Sequence, residues 1–303
     1  MEKSDILSLM SKEQTEKHLK YEMVNCNICG SKDTKVLFKS GKSNVVQCKK
    51  CGLVYKNPRL SEQEFKKYFE VPSVEISENS IFSKKQLFSE FIKKIEKIKK
   101  KKGKLLDVGC GSGYFLKIAK DSGWDVYGIE INPYSIKYAR EKFGVLVEQK
   151  NLKEINDEGF DVITLLGVID LFRNPKEELK EVRRILKKDG LVFIRVNNGL
   201  WHCNLERFRK YFSFLGLYPS VLHLYSFTPR TLKRILQEVG FKDINISVSE
   251  LTKGDPYKTG GWLGKTFVSL VKSIIYIFSK ILYFLSFSKI CLSTSIVAYA
   301  KKD

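Results

Sequence analysis

A chain of 303 residues, 43% of them hydrophobic, is long enough to bury a complete α/β core and still carry one or two appendages. Lysine and arginine exceed aspartate and glutamate by 54 to 34, and the resulting net charge of +20 favours anionic surfaces without choosing between nucleic acid and lipid. The first residues are charged and contain no apolar h-region, so a cytoplasmic chain is expected, in which seven cysteines argue for metal rather than for disulfides.

Residues 1–20 are expected to be a charged lead, helical or frayed, and residues 21–60 a zinc ribbon. Cys26-x-x-Cys29 and Cys48-x-x-Cys51 are separated by eighteen residues, and a turn glycine follows each pair, Gly30 and Gly52. The intervening Lys35-Val-Leu-Phe and Asn44-Val-Val-Gln have the short β pattern that joins two knuckles into a hairpin. Four thiolates so arranged close a tetrahedral Zn2+ cage with no open position, which is a structural site and not a catalytic one. A redox pair is the alternative, but thioredoxin-like motifs come singly inside a βαβ unit. The stretch 26–58, ending Cys-Gly-Leu-Val-Tyr-Lys-Asn-Pro, resembles the amino-terminal zinc domain attached to many bacterial methyltransferases of sugar and secondary-metabolite pathways. The remaining Cys110, Cys203 and Cys291 read as small buried hydrophobes.

A helical connector is expected over 61–102, its Lys99–Lys102 run complementing a helix C-terminus. A cofactor-binding domain then occupies 103–254. Residues 105–113, Leu-Leu-Asp-Val-Gly-Cys-Gly-Ser-Gly, read as an apolar strand entering a glycine-spaced turn, and Glu130 closes the next apolar run, Tyr127-Gly-Ile-Glu. Glycines at 109, 111 and 113 tolerate positive φ and let the backbone approach a ligand, while the following helix offers free N–H groups. A dinucleotide fingerprint would need glycine where Tyr114 stands. A carboxylate at Asp107 would sit poorly beside a diphosphate, but it can hold the cationic end of an amino-acid-like cofactor.

These residues carry a resemblance. The run 105–145 looks like the first two βα units of class I S-adenosylmethionine-dependent methyltransferases, and 160–198 looks like their fourth strand, following helix, Lys-x-Gly turn and fifth strand, with a core of the ubiquinone-biosynthesis type. The resemblance implies an α/β fold: a doubly wound, seven-stranded sheet, with the zinc ribbon before it and an amphipathic helix inserted ahead of the last strand. It also implies S-adenosyl-L-methionine as cofactor, met at its methionine end by Asp107, along its length by Gly109, Cys110, Gly111 and Gly113, and at the ribose by Glu130, with Ile131 and Leu166 beside it. The family's acid toward the adenine amino group is Asn151 here, whose amide oxygen can still accept. Relatives often carry Glu-His after strand four; Asp170-Leu171 stands there instead, which leaves the usual candidate base missing.

The second strand is expected to end at Glu130, a short third to lie near 145–147, the fourth to span 162–166 and the fifth 191–196. An aromatic, basic segment, 201–225, follows where the acceptor is usually received. His202 and His223 flank it and are the candidate catalytic bases, against the alternative that both are packed among aromatics; the third histidine, His18, lies in the lead. Thr228-Pro229 and Gly240 bracket a helix leading to strand six at 244–248.

Residues 255–290 hold a nearly apolar run, 265–285, whose polar members (Lys265, Ser269, Lys272, Ser273, Tyr276, Ser279, Lys280, Tyr283) fall on one arc, opposite Phe267, Leu270, Ile274, Ile277, Phe278, Ile281 and Leu285. The expected helix lies in the plane of an anionic membrane with its lysines at the head groups, the alternative being burial against the domain or a partner. It is not expected to span, because 291–303 supplies the last strand, 294–301, which must return between strands five and six. The function expected is methyl transfer to oxygen or carbon of a small molecule, a sugar, glycan or lipid-linked intermediate, at the cytoplasmic face of the membrane. An RNA methyltransferase is the alternative, disfavoured because Phe38 is the one aromatic between Cys26 and Cys51; a non-catalytic scaffold is the other, disfavoured by the intact cofactor motif.

Overall fold

The computed structural model describes residues 19–67, 78–156, 159–207, 223–251, 262–286 and 290–303. The expected lead with His18, and the middle of the aromatic segment, 208–222, lie outside the described residues.

The amino-terminal unit is built from short antiparallel strands. β1 (Tyr21–Glu22) pairs with β5 (Arg59–Leu60), and between them β2 (Thr34–Ser40), β3 (Ser43–Cys48) and β4 (Val54–Asn57) form the expected hairpin and one further strand. Two helices, α1 (Glu62–Lys67) and α2 (Glu78–Ser83), lead to α3 (Lys85–Ile98).

The main sheet follows as β6 (Lys104–Val108), α4 (Tyr114–Asp121), β7 (Asp125–Ile129), α5 (Pro133–Phe143), β8 (Val147–Glu148), β9 (Phe160–Leu166), α6 (Pro175–Ile185), β10 (Leu186–Asn197), α7 (Gly199–Arg207), β11 (Tyr225–Ser226), α8 (Pro229–Val239), β12 (Lys242–Val248), α9 (Trp262–Leu285) and β13 (Ser295–Lys301). Its order is β12-β13-β10-β9-β6-β7-β8, and β13 is antiparallel to both neighbours, so the last strand returns between the fifth and sixth as expected. The third strand starts two residues later than expected. The fifth starts at Leu186, because the Lys187–Gly190 turn stays within the ladder as an irregularity, with Asp189 at φ 57.

Strand alternation separates two apolar layers. Leu105, Val162 and Phe193 face α3, α4 and α5 through Phe91, Phe115 and Ile136. Leu106, Ile163 and Ile194 face the opposite way, onto Leu179 and Val182 of α6 and Leu232 and Ile235 of α8. The stretch read as a connector thus contributes Leu87, Phe91, Ile92 and Ile95 to the central core. Helix limits follow local chemistry. Asn132 Oδ1 accepts from the N–H groups of Tyr134 and Ser135 ahead of α5, with Pro133 in its first turn, and Thr228 Oγ1 accepts from Thr231 N ahead of α8, which exits at Gly240 with φ 96.

Two features were not legible in the sequence. β11 joins the ribbon, pairing Tyr225 with Tyr55 and Ser226 with Val54, so the four-stranded sheet reads β11-β4-β3-β2. Of the polar arc of α9, Tyr276, Ser279, Lys280 and Tyr283 face the domain and bond to residues outside the helix, so Lys280, expected at the lipid head groups, meets Glu250 instead. The expected positions of Lys265, Phe267, Ser269 and Lys272 fall on side chains outside the described set.

Candidate functional site

The sheet's parallel strands end at one edge, and the site is assembled there, beside the point where strand order reverses between β6 and β9. Asp107, on β6, is 2% exposed, and its Oδ1 accepts from Thr164 Oγ1 of β9 at 2.6 Å. Burial pushes its carboxyl up to about 7, against the lowering effect of the Thr164 hydroxyl and with help from the negative charge of Glu130. Such a group gains most from a cationic partner.

Gly109, Gly111 and Gly113 have φ of 66, 53 and 74, which L side chains rarely adopt. At Gly109 a Cβ would come within 2.7 Å of Val168 Cγ2, so the loop lies directly against the exit of β9. The amides of Gly109 and Cys110 both donate to the Ile129 carbonyl, at 2.8 and 3.2 Å. Glu130, 9% exposed, locks the loop to the next strand: its Oε2 accepts from Gly111 N at 2.8 Å, and its Oε1 from Ile131 N at 2.7 Å and Asn132 N at 2.9 Å. A carboxylate offers about four lone-pair sites, so roughly one remains for a ribose hydroxyl, and a second enters only as Gly111 N–H gives way.

The other expected contributors lie at or after the ends of β6, β7, β8 and β9. Cys110 is buried, Leu166 is half-buried at the end of β9, and Ile131 is exposed. Asn151 is exposed, and its Nδ2 donates to Glu154 Oε2 at 3.0 Å, which turns its amide oxygen away from that carboxylate. The donor and acceptor set fits S-adenosylmethionine: a buried anion for the ammonium, an acid for the ribose, an amide oxygen for the adenine amino group, and a glycine turn that admits close approach.

Beyond the ends of β9 and β10 lies a second cluster, around a cavity of about 10 Å³, lined by Asp170, Asn197, Gly199, His202, His223, Tyr225 and Ser226. Asp170 is 3% exposed, and its Oδ1 has no hydrogen-bond partner among the described residues; its Oδ2 is 4.0 Å from His223 Nε2. Burial raises the Asp170 carboxyl, with His223 and Arg195 opposing. His202 Nε2 lies 3.0 Å from the Thr294 carbonyl, which can only accept, so that nitrogen carries the proton and Nδ1 keeps its lone pair. Nδ1 is buried and, among the described residues, unpartnered, and burial lowers the ring's proton affinity. The structure therefore brings both expected histidines to one cavity and puts a carboxylate where the base had been read as missing. The sequence shows Asp170 only as a departure from the Glu-His pair; its meeting with His223, 53 residues downstream, has no local pattern to announce it.

The four ribbon cysteines converge, with all Sγ atoms within 4.8 Å of one another; Cys26 and Cys51 are 3.3 Å apart and Cys29 and Cys48 3.5 Å. Tetrahedral zinc with Zn–S bonds of about 2.3 Å has S–S edges on the order of 3.8 Å, so this all-thiolate set fits a structural zinc. The knuckle also grips the methyltransferase-like part: Asn27 Oδ1 accepts from Lys176 N at 3.0 Å in the first turn of α6. Arg59 Nη1 donates to the Arg173 carbonyl and to Tyr225 Oη at 3.1 Å, and Arg173 Nη1 donates to the Leu60 carbonyl at 2.9 Å. These bonds fix the loop that carries Asp170.

A family model described as a methyltransferase domain matches residues 82–246. The chain is 26% identical over 122 residues to a putative methyltransferase of Bacillus subtilis, covering 37% of this chain and 49% of that protein. It is 28% identical over 107 residues to a ubiquinone biosynthesis O-methyltransferase of Glaesserella parasuis, covering 31% and 45%. The chain thus spans about half the length of the curated relatives it matches. Among solved structures it resembles a SAM-dependent methyltransferase from Archaeoglobus fulgidus at 22% identity and a TM-score of 0.48, over 75% of this chain and 100% of that one.

Proposed function

We propose that this chain, which belongs to the methyltransferase-domain family, transfers a methyl group from S-adenosylmethionine to an oxygen or carbon of a small molecule: a sugar, a glycan or a lipid-linked intermediate at the cytoplasmic face of a membrane. The observation that carries the reading is the buried Asp107 beside a positive-φ glycine loop tied to Glu130. When bound, the cofactor supplies a methyl group already activated as a sulfonium. Little is then asked of the protein beyond positioning and, for a hydroxyl acceptor, removal of a proton.

In this reading Asp107 holds the ammonium end, Glu130 accepts from the ribose, and Asn151 Oδ1 accepts from the adenine amino group, with Cys110, Ile131 and Leu166 at the sides. Asp170 Oδ1 and His202 Nδ1 are acceptors facing a cavity, and they suit a group that donates hydrogen bonds, as an acceptor hydroxyl does. His223 takes the hydroxyl proton, with the Asp170 carboxylate 4.0 Å from its Nε2. An oxygen acceptor also agrees with the O-methyltransferase relative. Recognition of RNA by the ribbon finds no support, since Phe38 packs against Val45 and Val54 instead of presenting a stacking face.

Calorimetry with S-adenosylhomocysteine tests the reading. Zinc-loaded native protein is expected to bind, and Glu130→Ala to bind roughly ten- to 150-fold more weakly, the equivalent of one charge-assisted hydrogen bond of about 1.5–3 kcal/mol. Folded native protein that does not bind refutes it.

A further inference from the structure

Helix α9 is held to the domain by its polar side. Ser279 is fully buried and donates to the Leu292 carbonyl at 2.7 Å, Tyr283 Oη donates to the Ile246 carbonyl at 2.9 Å, and Glu250 receives both Tyr276 Oη and, at 2.9 Å, Lys280 Nζ. The apolar side therefore points outward. Leu270, Ile274, Ile277, Phe278 and Ile281 are 52–59% exposed and Phe284 is 80% exposed. A helix that ends in water has the reverse arrangement. Scattered apolar side chains on a surface are ordinary, but an unbroken stripe along four turns marks a contact surface.

Charge selects the occupant. Between Asp255 and Asp303 the chain has seven lysines and no acidic residue, and of these lysines Lys280 and Lys301 pair with Glu250 and Asp243. Helix α3 adds Lys94, whose Nζ donates to Ser247 Oγ at 2.9 Å, and Lys97; Lys94, Lys97 and Lys280 are close enough that their charges repel, with Glu250 among them offsetting one of the three. Two copies meeting along α9 would bring these like charges together, in a chain whose net charge is already +20. A surface of anionic lipids favours the positive excess beside the helix while covering the apolar stripe.

We propose that the outward face of α9 seats on an anionic bilayer, with the helix in the plane of the membrane and its apolar side chains at the acyl boundary. The 24 residues of α9 are about 36 Å long. Among the described residues no helix is long and apolar enough to cross a membrane, and β13 follows directly back into the sheet. The seat is also one loop from the acceptor cavity. Ser279 holds Leu292, Asn198 Nδ2 holds the carbonyls of Cys291 and Ser293 at 3.1 and 2.9 Å, and the Thr294 carbonyl orients His202. A lipid-linked acceptor would thus meet the site without leaving the bilayer; this last step rests on the proposed methyl transfer, whereas the docking does not.

The test is flotation of the zinc-loaded full chain with vesicles of phosphatidylcholine, with and without phosphatidylglycerol. Native protein is expected to float with the anionic vesicles, its affinity rising about fivefold for each lysine engaged. A variant with Ile274→Ser, Phe278→Ser and Ile281→Ser is expected to lose more than about 100-fold in vesicle affinity, because three side chains no longer enter the acyl boundary. Its melting temperature and its affinity for S-adenosylhomocysteine should match the native protein's, because those side chains already face water. Phe284→Ser alone provides the same comparison at smaller amplitude. Native protein that stays off anionic vesicles overturns the proposal. So does a variant that melts early, which would mean the face is packed, or a native dimer that the variant converts to monomer without any vesicle binding. Loss of cofactor affinity by the native chain, with flotation intact, would instead strike the methyl-transfer reading alone.

Discussion

Cofactor affinity should depend on pH through Asp107, in a direction fixed by its burial. The carboxyl is pushed up from its usual 3.8 to about 7, so near neutrality it is only partly ionised until a cation arrives. Protons and the cofactor's ammonium compete for it, and affinity is lost as pH falls through 7. Between pH 6.5 and 5.5 the ionised fraction drops about eightfold, which is ~1.2 kcal/mol of binding energy. The window stays below the titration of the ligand's own amine, at about 7.7–8.0. Calorimetry in two buffers of different ionisation enthalpy should show a proton released on binding at pH 6.5. Asp107→Asn should abolish both the slope and the proton release, and bind about 1.5–3 kcal/mol more weakly at pH 7.5. Stability runs the other way. A raised carboxyl means that the folded, ligand-free state holds its proton more tightly than the unfolded chain, so stability falls as pH climbs from about 4 to 7, by on the order of 4 kcal/mol for this group. The Asn variant should therefore be the more stable of the two above pH 7 and lose that advantage in acid. If native affinity is flat from pH 5.5 to 6.5, or if the Asn variant keeps the native slope, then Asp107 does not meet the ammonium.

Two further outcomes are expected. Metal analysis should find one zinc per chain, and Cys48→Ser should lower both zinc content and melting temperature while leaving S-adenosylhomocysteine affinity within about twofold, since a closed thiolate site supplies folding energy and not chemistry; zinc-free native protein with an unchanged melt would contradict this. With any hydroxyl compound accepted as substrate, His223→Gln should cut kcat by about 10²–10⁴-fold with cofactor affinity intact, and Asp170→Asn should displace the kcat–pH profile, which loss of packing alone would not do.

What could be read from the chain divides along the range of the interactions involved. β6, β9 and β10 are buried on both faces, so their apolar runs stand out locally, and the caps of α5 and α8 are decided within four residues. The glycine loop was legible for the same reason, because positive φ is a property of single residues. Pairings over long separations were not. Nothing near Tyr225 announces that it completes the ribbon sheet beside Tyr55, and nothing near Asp170 announces His223. Periodicity divided α9 into two faces but could not say which one turns inward; Glu250, 26 residues before Tyr276, decides that by collecting the tyrosine and Lys280.

The ribbon's place in the molecule follows from the same long-range bonds. Asn27, within the first knuckle, meets the first turn of α6, and Arg59 and Arg173 tie β1 and β5 to the loop between Asp170 and Asn174. Tyr225 Oη donates to the Arg173 carbonyl at 2.8 Å while its backbone N–H donates to the Asp170 carbonyl at 3.2 Å, so one residue of β11 belongs to the ribbon sheet and to the lining of the Asp170 cavity together. Metal held by four thiolates has no vacancy for a substrate, and it acts on the cavity only through this geometry. A loop after the fourth strand that must hold a buried carboxylate, one of whose oxygens has no partner among the described residues, cannot be left to its own backbone preferences, since an unmet acceptor in low dielectric draws the chain toward water. The zinc ribbon supplies the restraint: it anchors both flanks of that loop, and the strand facing it, to a unit whose own fold is fixed by the metal.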